Sequence, residues 1–259
     1  MDYKVVICSH NRIGALKKKT LGMLERYGIP KNKIFLFVAP EEIDAYERAF
    51  PEYTICLGQL GLENQRNCVT QYFPPDDCLL CLDDDVTGFW TVVNQTLEEV
   101  DNLDSFVRYA FQKAWEEKVS LWGFYPVKNK KWLKDTVTKG LLFCYGCAYG
   151  LINKKDVVIE RALKEDFERS LKFYLRDGAV LRFNWVCPTQ SYRKGKGGLS
   201  DFRTDEREKV ACERLLTLYP TLCSKKKAEG RVEIMFKRNL SFQIDGRRPD
   251  SNWVWTGSV

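Results

Sequence analysis

The first 90 residues alternate short apolar runs with segments whose apolar side chains recur at helical spacing. Four runs are rich in β-branched and large apolar residues and are predicted to be strands: YKVVICS, KIFLFVAP, YTICL and DCLLCLDDDV. Between them, residues 13–27, 41–50 and 62–73 place apolar side chains three or four positions apart, as in a helix with one buried face. This alternation predicts an α/β fold in which helices cover both faces of a mostly parallel sheet.

The pattern changes after residue 85. One long helix is predicted from Leu97 to Glu117, followed by a strand in VSLWGFYPV and a bent extended element in GLLFCYGCAYGLIN. A helix-rich segment over residues 156–178 and a strand in AVLRFNWVC come next. A basic, glycine-rich loop, YRKGKGGLSDFRT, then leads to a last helix from Asp205 to Tyr219, and RVEIMFKRN closes the regular structure.

Three consecutive aspartates end the fourth predicted strand. Asp83 and Asp85 are two residues apart, so both carboxylates can reach one hard cation, which would remove their mutual repulsion. In parallel sheets ligands bind beyond the carboxyl ends of the strands, where the SHNR loop is also expected. The alternative is that the cluster only caps a turn. The chain has neither a P-loop nor a dinucleotide-binding glycine motif, which disfavours those two folds.

Composition and charge narrow the class of protein. The chain has 259 residues, of which 44% are hydrophobic and 29% charged, as in one large soluble domain. It has no apolar run long enough for a bilayer span and no signal-peptide pattern, so a soluble cytoplasmic protein without a membrane partner is expected. The net charge of +6, with basic clusters after residue 224, favours a polyanionic partner, although a solvated basic surface is the commoner explanation.

Ten cysteines lie mostly within apolar runs, as expected of reduced thiols in a core. Two C-x-x-C pairs, Cys78/Cys81 and Cys144/Cys147, suggest structural zinc as an alternative. The first pair lies in a predicted strand, where residues three apart point to opposite faces, and only one histidine exists to complete a mixed site. Zinc is therefore disfavoured.

Several motifs that occur in order carry a family resemblance. VVICSHNR, LFVAPEE, GLENQRN, CLDDDV, EDFERS and GGLSDFRT resemble those of GT-A nucleotide-sugar glycosyltransferases over about residues 3–220. Within that superfamily the chain most resembles the TET/JBP-associated glycosyltransferases, which are linked to sugar addition on hydroxymethylated pyrimidines in DNA, as in base J and phage genomes. The resemblance implies a GT-A domain over residues 1–220, with a nucleotide-binding half (1–90) and an acceptor half (91–220). A basic extension (221–259) would pack on the same domain.

The resemblance also implies a divalent metal, Mn²⁺ or Mg²⁺, and a UDP-sugar donor. The donor-side residues that it implies are Ser9, His10, Asn11, Arg12, Glu41, Arg66, Asn67, Asp83, Asp84, Gly198 and Arg203. Asp85 and Asp83 would face the metal, whereas the side chain of Asp84 is expected to turn away. Asp166, preferred to its neighbour Glu165, would be the general base, which is needed because a hydroxyl near its ordinary pKa is a poor nucleophile.

The metal site departs from the family pattern in one respect. Many GT-A enzymes supply a second protein ligand from a C-terminal histidine, whereas the only histidine here is His10, in the first loop. Either Asp85 and the diphosphate hold the ion with waters, or Ser200 or Asp201 substitutes. The glycines of the basic loop would let it close over the donor, with Lys194, Lys196 or Arg203 on the phosphates; a plain surface loop is the alternative.

Three functions remain open from the sequence. The leading hypothesis is an inverting, metal-dependent glycosyltransferase that moves a sugar from a UDP-sugar to the hydroxyl of a 5-hydroxymethylpyrimidine in DNA, with aromatics such as Trp132 stacking on an extruded base. The second keeps the fold but takes a glycan or protein acceptor. The third is a non-catalytic nucleic-acid-binding protein in which the aspartates merely cap a strand.

Overall fold

A computed structural model describes residues 1–190, 203–228 and 231–246 of the chain. Within these residues the strands are β1 (Lys4–Cys8), β2 (Ile34–Val38), β3 (Thr54–Leu57), β4 (Cys78–Asp83), β5 (Val86–Val93), β6 (Thr96–Glu99), β7 (Leu121–Phe124), β8 (Val137–Gly140), β9 (Ala148–Ile152), β10 (Val180–Phe183), β11 (Cys187–Gln190), β12 (Cys223–Ala228), β13 (Arg231–Phe236) and β14 (Ser241–Ile244). The α-helices are α1 (Ile13–Leu16), α2 (Gly22–Arg26), α3 (Ile43–Ala49), α4 (Leu62–Tyr72), α5 (Leu103–Glu116), α6 (Glu165–Asp177) and α7 (Asp205–Leu218).

A nine-stranded mixed sheet organises the described residues. Its order is β14-β8-β10-β7-β9-β4-β1-β2-β3. The strands β3, β2, β1 and β4 are parallel, as the apolar runs predict, because each crossover between them contains a helix. Strand β9 is antiparallel to both of its neighbours, β4 and β7, so β7 again runs in the direction of β4. We call the edge where β1, β2, β4 and β7 end the carboxyl edge.

One sequence prediction is wrong in this region. Instead of one helix from Leu97 to Glu117, the chain forms a hairpin, β5–β6, and helix α5 begins only at Leu103. Asn94 and Gln95 both have positive φ, 47° and 62°, as in the two-residue turns whose twist suits a hairpin. Asn102 then caps α5 by accepting a hydrogen bond from the backbone N–H of Ser105. The turn and the cap decide the boundary, which helical spacing alone did not reveal.

The first predicted helix is present but interrupted. Between α1 and α2 lies a π-helical turn, Lys17–Leu21. Thr20 in this turn is buried, and its hydroxyl donates to the carbonyl oxygen of Asp83 at 2.8 Å and accepts from the backbone N–H of Val86 at 3.0 Å. Single π turns often mark functional sites. Here the turn brings a hydroxyl to the loop that carries the aspartates.

The largest core cluster lies between the sheet, the first helical segment and α5. Trp122 on β7 is fully buried there and packs edge-to-face against Phe106, Phe111 and Phe183. The neighbouring strand makes room for the indole with a glycine, Gly150. A smaller cluster joins α7 and the β12–β13 hairpin to residues of α6, and β14 extends the central sheet beside β8. No helix of the described residues is long and apolar enough to cross a membrane.

Gly150→Ala should strongly destabilise the protein. The added Cβ would lie 1.9 Å from Cε2 of Trp122, which is fully buried and packed against three aromatic rings. Overpacking of this kind costs about 1–3 kcal/mol or more in the free energy of unfolding. The matched control is Gly14→Ala in α1, where an added Cβ meets nothing within 4 Å. Thermal denaturation should show a lower Tm for the first variant only; equal Tm values would contradict the packing described here.

Candidate active site

The three aspartates occupy the connection between β4 and β5 at the carboxyl edge. The backbone of this connection is fixed on two sides. The Thr20 hydroxyl bonds to both ends of it, and the N–H of Asp83 donates to the carbonyl of Cys147 at 2.9 Å. From this fixed backbone, the three carboxylates reach different sets of partners.

Asp84 turns toward the first loop, which follows β1. It accepts hydrogen bonds from the hydroxyl of Ser9 at 2.7 Å and from Nη1 of Arg12 at 3.0 Å. Burial raises the pKa of Asp84, while these two donors oppose the rise. The Tyr46 hydroxyl on α3 lies 2.8 Å from Ser9 Oγ and accepts from the N–H of Arg12. Two of the predicted donor-side residues, Ser9 and Arg12, are therefore held in place by Asp84.

Asp85 has weaker compensation than its neighbours. Its side chain is 11% exposed, and Arg12 lies 3.5 Å away while bonding more closely to Asp84. Burial, together with the charges of Asp83 and Asp84, raises the pKa of Asp85 to about 6. A carboxylate in this situation is a suitable ligand for a cation, because a positive charge would relieve both effects.

His10 and Asn11 are organised by Glu42. The carboxylate of Glu42 lies 2.6 Å from His10 Nδ1 and accepts from the backbone N–H of Asn11 at 2.7 Å. Asn11 adopts a left-handed conformation, φ 57°, which asparagine tolerates. The predicted donor residue Glu41 is exposed, whereas its neighbour Glu42 is buried and makes these contacts. Neither Glu42 nor Tyr46 was predicted as a site residue, and the PEE run gave no signal for choosing between the two glutamates.

Arg66 and Asn67 on α4 have separate roles. Arg66 is buried and its Nη2 donates to Oδ1 of Asp83 at 2.8 Å, so it lies behind that carboxylate. The amide of Asn67 bonds to both the carbonyl and the N–H of Ile159. Asn67 is thus committed to holding a surface segment, while Arg66 is part of the aspartate cluster.

The start of α6 lies against the segment that precedes β9. A Cβ added to Gly146 would lie 2.9 Å from Oε1 of Glu165 and 3.5 Å from Oδ2 of Asp166. Glu165 forms an ion pair with Arg169, whereas the carboxylate of Asp166 accepts only from the N–H of Phe167 among the hydrogen bonds of the described residues. Burial and the adjacent Glu165 raise the pKa of Asp166 to about 6.

Cys147 connects these two groups of carboxylates. Burial raises the pKa of its thiol, and the charges of Asp83, Asp85 and Asp166 raise it further. The N–H of Asp83 bonds to the carbonyl of Cys147, and Gly146 lies against Asp166, so the structure brings the aspartate cluster and the predicted base close together although they are about 80 positions apart in sequence. Gly146, beside Cys147, lets Glu165 and Asp166 approach closely because it has no side chain.

The remaining predicted residues lie farther along the chain. Arg203 is described and pairs with Glu208 at 2.9 Å, which in turn pairs with Lys164 at the start of α6. Five others lie outside the described residues: Lys194, Lys196, Gly198, Ser200 and Asp201. All ten cysteines are free thiols. In residues 1–190, 203–228 and 231–246, no group of three or more His, Cys, Asp or Glu side chains is arranged to hold a metal ion.

No protein-family model and no curated protein matches the chain, but solved structures do. It is similar to glucosyl-3-phosphoglycerate synthase from Mycobacterium tuberculosis, with TM-score 0.54 and 9% identity over 91% of this chain and 86% of that one. It is also similar to TarS of S. aureus (TM-score 0.52, 14% identity, 83% of this chain and 40% of that one). A third is GalNAc-T7 (TM-score 0.54, 12% identity, 82% and 48%). The chain thus spans less than half the length of the latter two.

These similarities establish the fold. The described chain has the mixed α/β architecture of GT-A glycosyltransferases, as the ordered motifs predicted. The structures to which it is similar were determined with UDP and Mn²⁺ in the case of GalNAc-T7, and with Mn²⁺, UDP-glucose and phosphoglyceric acid in the case of the mycobacterial synthase. None of these three structures points to the base J family of DNA glycosyltransferases.

Asp85→Asn should stabilise the metal-free protein at neutral pH. The folded-state pKa of about 6 lies above the ordinary value of 3.8, so the folded protein binds more protons between these values and its stability falls as the pH rises through them. Asparagine does not titrate, so the variant should gain on the order of 1–3 kcal/mol at pH 7.5 and little at pH 4. Thermal denaturation with a chelator would measure both.

The matched control for this variant is Asp156→Asn. Asp156 is exposed, and its pairing with Arg176 lowers its pKa. Its replacement by asparagine should therefore not increase the stability of the protein at neutral pH. An Asp85→Asn gain that is the same at both pH values would contradict the raised pKa.

Proposed function

We propose that the protein is a metal-dependent glycosyltransferase that uses a UDP-sugar. The observation that carries the proposal is that the aspartate connection and the start of α6 meet at residues 146 and 147, at the carboxyl edge of the sheet: Asp83 bonds to the backbone of Cys147, and Gly146 lies against Asp166. Ligands bind at this edge in open α/β sheets. Two structurally similar proteins contain Mn²⁺ together with UDP or UDP-glucose, which supports the same chemistry.

Asp85 and Asp83 would hold the divalent metal. Both present carboxylate oxygens, the ligand type that Mg²⁺ and Mn²⁺ prefer, and Asp85 carries negative charge that the described residues compensate poorly. The described side chains supply no third acidic, histidine or cysteine ligand, which suits an ion that completes its coordination with diphosphate oxygens and water. Such an ion would neutralise the charge that develops on the leaving diphosphate.

The donor nucleotide would bind along the first loop. His10 and Asn11 stand on the carboxyl edge beside Glu42, and Arg12 offers a guanidinium close to the aspartates. Because Ser9 and Arg12 are already bonded to Asp84, this loop is held in one conformation before any ligand arrives. Pre-organisation of that kind lowers the entropic cost of binding.

Asp166 would act as the general base. Glu165 is engaged by Arg169, whereas Asp166 has no cationic hydrogen-bond partner among the described residues and a pKa of about 6, below the neutral range. At pH 7 its carboxylate is mostly ionised and can accept the proton of an acceptor hydroxyl. The hydroxyl oxygen then bonds to C1 of the sugar as the bond from C1 to the UDP oxygen breaks, which inverts the configuration at C1.

For the acceptor we propose the hydroxyl of a 5-hydroxymethylpyrimidine in DNA. The segment 125–136 carries four lysines and the 60% exposed Trp132, and it joins β7 to β8 at the carboxyl edge. Backbone hydrogen bonds from Tyr125 to Val186 and from Lys134 to Asn184 anchor its two ends. Lysines and an exposed ring are the groups that hold a nucleic-acid strand. A glycan or protein acceptor is the comparable alternative.

Asp85→Ala and Asp166→Asn should separate donor binding from transfer. Loss of a metal ligand should weaken Mn²⁺-dependent UDP binding by about tenfold or more. Loss of the base should lower kcat by about 10²–10⁴-fold while leaving the UDP-sugar affinity nearly intact, since a base acts mainly in the transition state. Calorimetric titration of UDP with Mn²⁺ and a sugar-transfer assay would measure the two effects.

Asp156→Ala is the control for charge removal, because this exposed carboxylate follows β9 at the opposite edge of the sheet. Full activity in Asp85→Ala, or equal loss of donor affinity in Asp166→Asn, would contradict the assigned roles.

Binding to DNA should distinguish the acceptors. At low salt the protein should bind duplex DNA, and the logarithm of the binding constant should fall linearly with the logarithm of the salt concentration. The slope should become smaller by about one unit for each phosphate-contacting lysine changed to glutamine, for example Lys130→Gln. Trp132→Ala should weaken binding to single strands by about 1–3 kcal/mol.

The controls for the DNA experiment are Lys155→Gln and Trp115→Ala, both exposed and at the opposite edge of the sheet. No affinity for DNA at low salt would exclude the DNA acceptor and favour a glycan or protein.

A further inference from the structure

Three buried side chains form a stack behind the candidate site, and none of them is a substrate-contacting group in the proposed reaction. The ring of Tyr149 on β9 contacts two guanidinium groups, whose Cζ atoms lie 5.5 Å (Arg66) and 3.6 Å (Arg169) from the ring centroid. The arginine side chains are only 4% and 3% exposed. We call these three residues the Arg–Tyr–Arg stack.

Each end of the stack holds one carboxylate of the site. Arg66 donates to Oδ1 of Asp83 and also, at 3.4 Å, to the carbonyl of Gly146. Arg169 pairs with Glu165, one helical turn earlier on α6. The stack thus connects a carboxylate on the donor side with the residue next to the base, through the strand that lies beside β4.

The stack is costly as a purely structural element. Two cations lie close together in the interior; burial and the charge of Arg66 both oppose the ionised form of Arg169, although its pKa is raised overall, chiefly by Glu165. Within the described residues, Nε of Arg66 and both Nε and Nη2 of Arg169 have no hydrogen-bond partner. Replacing such buried charges by apolar side chains of similar volume often stabilises a protein. Stability alone therefore does not account for two arginines at these positions.

We propose that the Arg–Tyr–Arg stack is a positioning element that fixes Asp83 and Glu165 relative to each other. By engaging Glu165 it leaves Asp166 as the carboxylate free to face the acceptor, and by engaging Asp83 it orients the donor end of the site. The planar guanidinium fork and the ring are both needed, because each arginine is aligned by one carboxylate and one aromatic surface. This role rests on the proposed function, since the stack itself touches no substrate.

Conservative variants should distinguish the functional effects of the two ends of the stack. Arg169→Lys keeps the charge but loses the fork, and should lower kcat by about 10- to 100-fold with UDP affinity within about twofold of wild type, the size of effect expected from a small misplacement of reacting groups. Arg66→Lys should weaken Mn²⁺-dependent UDP binding by a similar factor. Tyr149→Leu should impair both, and Tyr149→Phe, which keeps the ring, should restore most of the loss.

A stability control separates positioning from folding. Phe111→Leu removes volume from the core at α5, away from the site, and should lower the Tm. It should not reduce kcat selectively, nor the affinity for the donor selectively. If the stack variants lose only Tm, or lose donor affinity and kcat equally whichever arginine is changed, the positioning role is overturned. A wild-type protein that binds no UDP with Mn²⁺ would instead overturn the proposed function, and the positioning role with it.

Discussion

The structure depends on how three adjacent carboxylates are accommodated at the end of a buried strand. Adjacent aspartates repel one another and lose hydration when buried, so each needs its own compensation. Asp83 receives Arg66, and Asp84 receives Ser9 and Arg12. Asp85 receives the least and has a pKa raised to about 6 by burial and by its two neighbours. This unequal compensation gives the cluster both a rigid part and a part that is suited to a cation.

The same constraint explains features that would otherwise look unrelated. The π turn in the first helical segment brings the Thr20 hydroxyl to the aspartate connection, and the glycine at position 146 lets the start of α6 approach it from the other side. Glu42 fixes His10 and Asn11, and the Arg–Tyr–Arg stack fixes Asp83 and Glu165. The proposed donor-side and base-side groups are therefore held by residues from several different elements, which is the pre-organisation that the proposed transfer requires.

Sequence patterns predicted the regular elements well where one period persisted. The four apolar runs became β1 to β4, and the spacing over residues 62–73 became α4. The prediction failed at residues 97–102, because a two-residue turn at Asn94 and Gln95 and a cap at Asn102 have stronger local effects than a partial helical period. Among the site residues, the choice of Glu41 over Glu42 had no physical basis in the sequence, since both follow the same strand and only burial distinguishes them.

The sequence by itself determined the fold class and placed the aspartate cluster at the edge of the sheet where we propose that the chemistry occurs. Strand ends and acidic clusters can be recognised from short stretches of sequence. Parallel strands then bring their carboxyl ends together whatever the details of packing. Only the tertiary structure decided which carboxylate is paired and which is free, because pairing depends on distances between residues far apart in the chain. Arg66 reaches Asp83, Arg169 engages Glu165, and Asp166 is left beside Gly146. Burial then raises the pKa of Asp85 and of Asp166 to about 6, which no local pattern in the sequence encodes.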